Sequence, residues 1–154
     1  MRIGYIAGRY RHKNREGIIH EPRQRMELAD ETRWAAILYD MGWFPICPLH
    51  NSVHVERVRS TIPPEAYIRG DLAMLARLLP EEAAVFFRPG WRPLGLTDFR
   101  PMWYPDGEME GSVGAAEEYL KATELGLAIV EAKIVRPGEF MDWEIEALVA
   151  QQAA

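Results

Sequence analysis

Short apolar runs, each closed by Gly or Pro, alternate along this chain with longer stretches of helical period, and that alternation restricts the fold more than any single motif. Ile3 to Ala7 in "MRIGYIAGRY", then "WFPICP", "AAVFFRPG" and "LAIVEAKIV" are the apolar runs. Their length and their β-branched and aromatic content are those of strands. Between the first two, Arg23 to Met41 contains no Pro or Gly, places Met26, Ala29, Trp34, Leu38 and Met41 near helical spacing, and stops at Gly42. It predicts the first helix. "PPEAYIRGDLAMLARLLP" predicts a second, opened by Pro63 and Pro64 and ended by Pro80. Further helices are expected from about Gly114 to Leu125 and over "GEFMDWEIEALVAQ".

Strands alternating with helices indicate an α/β fold, a Rossmann-like (flavodoxin-like) parallel sheet flanked by helices, with ligands bound outside the carboxyl ends of the strands. At 154 residues this is one domain, 1–154. Two stretches escape the pattern. "RYRHKNREGIIHEP" has no period and reads as a basic loop, and 92–111, rich in Pro, Gly and aromatics, reads as an inserted loop or lid. A formal net charge of -5 argues against a nucleic-acid polymer as partner, since a duplex binder carries a basic surplus. No stretch approaches the ~20 apolar residues of a membrane span. With a single Cys47 and no signal peptide, a cytoplasmic protein is expected.

On such a sheet four segments meet at one edge: "YIAGRYRHKN", "ICPLHN", "RGD" and "GSVGAAEE". Each holds residues that chemistry can use and that structure alone can also explain. Glu117 and Glu118 suit the first turns of a helix as solvated acids, Ser112 suits an N-cap, and Tyr5 suits a strand. Arg9, Arg11 and Lys13 suit a solvated loop as well as an anion site. Cys47, His50 and His54 have a spacing that metal ligands use, but no fourth ligand converges in the sequence, and a Cys ending a strand is most often a small hydrophobe. No metal is expected. "GRYRHKN" lacks the phosphate-loop pattern.

In their order and phase, "YIAG", "PICP", "RGDLAML", "PGW" and then S-x-G-A-x-x-E resemble the nucleoside 2-deoxyribosyltransferase-like superfamily, closest to its small bacterial and phage-type members. The resemblance implies a catalytic glutamate at Glu118 rather than Glu117, an Asp that handles the base at Asp71, and at Tyr5 a strand-end Tyr that hydrogen-bonds the nucleophile. It further implies substrate binding by Gly8, Arg9, Arg11, His50, Asn51, Ser112 and Gly114, no cofactor, and a homodimer or higher homo-oligomer. The family often has Asp where this chain has Ser112, whereas members acting on nucleoside 5'-monophosphates have Ser.

The chemistry implied is cleavage of an N-glycosidic bond through a covalent glycosyl-glutamate. The expected function is a hydrolase acting on a (deoxy)nucleoside 5'-monophosphate. The alternatives are a 2'-deoxyribosyltransferase, in which a second nucleobase replaces water, and a non-catalytic nucleotide-binding or sensing module. The chain departs from the family at Tyr119-Leu120-Lys121, where Leu-Gly-Tyr is common, and in the length of 92–111, with Phe99, Trp103 and Tyr104.

Overall fold

The computed structural model describes residues 1–9, 21–59, 61–92, 102–103, 109–110, 112–132 and 138–153. In chain order the elements are β1 (Arg2–Ala7), α1 (Glu21–Asp40), β2 (Trp43–Ile46), α2 (Pro48–Val58), α3 (Pro64–Leu75), β3 (Ala83–Phe87), β4 (Met102–Trp103), β5 (Met109–Glu110), α4 (Val113–Glu124), β6 (Ala128–Glu131) and α5 (Asp142–Ala153). Four strands form one sheet in the order β2-β1-β3-β6, with every pair parallel. The fold is the expected single-domain, Rossmann-like α/β arrangement.

Sequence alternation along the strands supplies two cores. Tyr5 and Ala7 of β1, with Val85 and Phe87 of β3, face one side and pack with Leu75 of α3 and Ala115 and Ala122 of α4. Ile6, Ala84 and Phe86 face the other, against Trp34 and Leu38 of α1 and Ile145 and Val149 of α5. Because both faces are covered, all five residues of β3 are buried, which is why that run is uniformly apolar rather than alternating. Edge strand β2 carries Pro45 opposite Gly4 of β1.

The turn that sends α4 into β6 shows local sequence fixing long-range geometry. Gly126 at φ 71 lets its N–H reach the Thr123 carbonyl at 3.1 Å and the Leu127 N–H reach the Ala122 carbonyl at 3.0 Å. Those are the two bonds of a glycine-terminated helix, and a residue with a Cβ is disfavoured at that φ.

Two elements differ from the sequence expectation. The segment after "WFPI" is a helix, α2, where the sequence pattern marked none; Pro48 at its first position needs no N–H donor there, while the following His-Asn-Ser-Val-His gives little helical propensity to read. The 92–111 stretch contains a short antiparallel pair, Met102 opposite Glu110 and Trp103 opposite Met109. Phe99 and Tyr104 lie outside the described residues, as does most of the basic loop with Arg11 and Lys13. Among the described residues no helix is long and apolar enough to cross a membrane.

Candidate functional site

Strand order reverses between β1 and β3: the chain passes from β1 to β2 on one side, then crosses back to β3 and β6 on the other. Loops leaving the two central strands therefore diverge and leave a crevice at their carboxyl ends. A cavity opens there, bordered by Ala7 at the end of β1 and Gly8 just after it, Arg88 after β3, and residues of α1, α2, α3 and α4.

Helix α4 delivers Glu118. Its neighbours Ala115 and Ala116 are buried against the sheet, so the helix phase turns Glu118 inward, at 7% exposure, and Glu117 outward. The hydroxyl of Tyr5, a fully buried strand residue, donates to Glu118 Oε2 at 2.5 Å. Burial, reinforced by the charges of Asp71 and Glu31, pushes the Glu118 carboxyl up to about 8, although the Tyr5 bond and Arg88 work in the opposite direction. Tyr5 itself is held far above its ordinary range, first by burial and then by the Glu118 and Asp71 charges, so it stays a donor. Asp71 enters the same cavity from α3, and burial followed by the Glu31 charge raises it to about 6. Two carboxyls with pKa values displaced toward neutrality share one cleft, an arrangement that general acid and base work can use.

Ser112 is both things the sequence allowed. It is the N-cap of α4, its side-chain oxygen accepting from the Ala115 N–H at 3.2 Å, and it borders the cavity with Gly114. Its own N–H donates to the Trp91 carbonyl at 2.8 Å, which ties the start of α4 to the end of β3.

Gly8 has a steric reason to be glycine. A Cβ there would sit 2.8 Å from Nη2 and 2.9 Å from Cζ of Arg88. That guanidinium cannot swing away, because it is 1% exposed and donates to Glu27 Oε2 at 2.8 Å, Asp30 Oδ2 at 3.3 Å and the Arg9 carbonyl at 3.0 Å. Burial opposes the charge of Arg88, but Glu27, Glu31 and Asp30 outweigh it and keep the group protonated. Arg9 contributes through its main chain; it is 4% exposed and does not border the cavity.

His50 and Asn51 also stand outside the cavity lining. Because their segment is helical, its residues spread around an axis: Pro48, Leu49, Ser52 and Glu56 border the cavity, while Asn51 is exposed. His50 turns toward α1, with Nδ1 2.6 Å from Glu31 Oε2 and Nε2 2.8 Å from Thr32 Oγ1, and its N–H donates to Glu31 Oε2 at 3.2 Å. His54 is exposed. The half-buried Cys47 thiol is pushed up to about 11 by burial and the nearby Glu31 charge, the direction opposite to that of an activated nucleophile.

Sequence reasoning missed Glu31 and Arg88. The signal was present in α1, whose buried residues include Glu27, Asp30 and Glu31 before Trp34. Acids at positions i, i+3 and i+4 on the face that goes on to bury Trp34 and Leu38 need a buried cation, and the strand-ending "FFR" supplies it.

Compared with family models, with curated proteins and with solved structures, the chain finds no match.

Proposed function

We propose that the protein hydrolyses the N-glycosidic bond of a (deoxy)nucleoside 5'-monophosphate, with Glu118 as nucleophile. The observation that carries this reading is the buried Glu118, oriented by Tyr5 and sharing a switch-point cavity with Asp71. Between about pH 6 and 8 the two carboxyls hold one proton between them, and the first step draws on the arrangement with that proton on Asp71: an ionised Glu118 oxygen bonds to the anomeric carbon as the bond to the base breaks, and Asp71 gives its proton to the departing base. In the second, water attacks the glycosyl ester, its proton returns to Asp71, and the Glu118 carboxylate is released with the sugar phosphate. Tyr5 holds the attacking carboxylate in one rotamer throughout.

The phosphate belongs at the start of α4. Elsewhere the wall carries Glu31, Glu56, Asp71 and Glu118, which oppose a dianion, and Arg88, whose charge is already engaged by Glu27 and Asp30, whereas a helix N-terminus with the Ser112 hydroxyl favours one. The test is a chromatographic assay for free base from a panel of nucleosides and their 5'-monophosphates, with and without an added acceptor base. Free base from a monophosphate without acceptor is the expected result. A new nucleoside formed only with acceptor makes the protein a deoxyribosyltransferase; binding without turnover makes it a sensing module.

A further inference from the structure

Beside the cavity, three elements converge on a point that the glycosidase chemistry does not use. Glu31 comes from α1, Cys47 from the end of β2, and His50 from the first turn of α2. One carboxylate oxygen, the thiol sulfur and one imidazole nitrogen all lie within 4.8 Å of one another. The convergence has a local cause: Cys47 is the N-cap of α2 and His50 is three residues on, so both project from one helix start toward the buried Glu31. Cys47 makes no side-chain cap bond, so its sulfur is not employed in ending the helix. Glu31 is 1% exposed and also borders the cavity.

We propose that Glu31, Cys47 and His50 form a binding site for a zinc-class divalent cation, with a fourth position taken by water or by a group of a bound ligand. The donor set decides the class. Oxygen, nitrogen and sulfur together suit Zn²⁺ or Co²⁺, whereas Mg²⁺ and Ca²⁺ want oxygen alone. A carboxylate and a thiolate would leave the bound cation nearly neutral, which suits a half-buried site. The 2.6 Å contact between Glu31 Oε2 and His50 Nδ1 shows that two of the donors point at each other, and an ion ligating both takes the place of the proton as the donors part to about 3.3 Å, the spacing that bonds near 2.0 Å require. Thr32 Oγ1, 2.8 Å from Nε2, is placed to orient the ring from behind, as outer partners of metal-bound histidines do. His54, which the sequence spacing offered, is exposed and takes no part.

The inference is independent of the glycosidase reading, and its experiment uses metal alone. Chelator-treated protein is titrated with Co²⁺ and followed by thiolate-to-cobalt charge-transfer absorption, then Zn²⁺ is added as competitor. One Co²⁺ per chain with the charge-transfer band, displaced by Zn²⁺, is expected. Cys47→Ser should abolish the band, and His50→Gln and Glu31→Gln should each weaken binding by roughly a hundredfold or more, since losing even an outer-shell partner costs 10- to 100-fold. His54→Gln should change nothing. Absence of the band, or a band that keeps its affinity in His50→Gln, overturns the site; the second outcome would mean a lone thiol binds cobalt. Because His50 is partly exposed, its variant tests the site even where Glu31→Gln fails to fold.

Discussion

Glu117 and Glu118 are adjacent in the chain and opposite in environment, and chemistry follows the environment. Glu118→Ala is expected to lower kcat/KM for base release by at least a thousandfold, while Glu117→Ala keeps most of it; steady-state assays of both variants check this. With Glu118 near 8 and Asp71 near 6, the pH profile of kcat/KM should be a bell centred near neutrality, its limbs belonging to the interacting pair. The same displacement acts on folding. A carboxyl whose folded pKa is about 8 against an ordinary 4.5 binds its proton more tightly folded than unfolded, so stability falls as pH rises across that window. Glu118→Gln keeps an acceptor for Tyr5 and removes the penalty. Its Tm should match the unsubstituted protein near pH 5 and exceed it by roughly 5 °C or more near pH 8, readable by thermal melts, because the effect is a few kcal/mol. Glu118 was legible from its phase behind Ser112 and Gly114, whereas Glu31 was legible only in the spacing of Glu27, Asp30 and Glu31 ahead of Trp34, and its partner His50 comes from a helix that the sequence pattern did not mark.

Helix starts hold the site together, and they separate cap from ligand. Ser112 caps α4, and Asp caps as well as Ser, so Ser112→Asp should leave thermal stability nearly unchanged while cutting 5'-monophosphate turnover by about ten- to a hundredfold and sparing unphosphorylated nucleosides. Ser112→Ala should do the reverse to stability, costing about 1 kcal/mol. Calorimetry of both variants beside the two substrate assays reads the difference; equal loss on both substrates would leave Ser112 a cap alone. The start of α2 was the element the sequence hid. A strand ending in Ile-Cys-Pro and a helix beginning at that same Pro share a boundary, so the proline that marks the strand's end also disguises the helix's beginning. Once α2 is helical, His50 and Asn51 rotate off the cavity and Ser52 and Glu56 rotate onto it.

At the scale of the whole molecule the fold was the most legible property, because uniformly apolar strands and Gly or Pro stops record two-sided burial directly. Association of subunits is less directly recorded. Trp143 at 69% exposure, Met141 at 56% and Leu120 at 53% leave large apolar side chains uncovered on one chain. Light scattering at micromolar concentration is expected to give a dimer or larger, and a monomer there would count against the expected homo-oligomer.

Where a second copy could meet the sheet depends on Pro45. It sits in β2, at the border of the sheet, where a row of open main-chain groups would otherwise invite a strand from a second molecule. A proline has no main-chain hydrogen to donate, which makes it a residue of sheet borders and disfavours a further strand there. The same residue that interrupts an aromatic run makes β2 a poorer template for edge-to-edge stacking into a fibril.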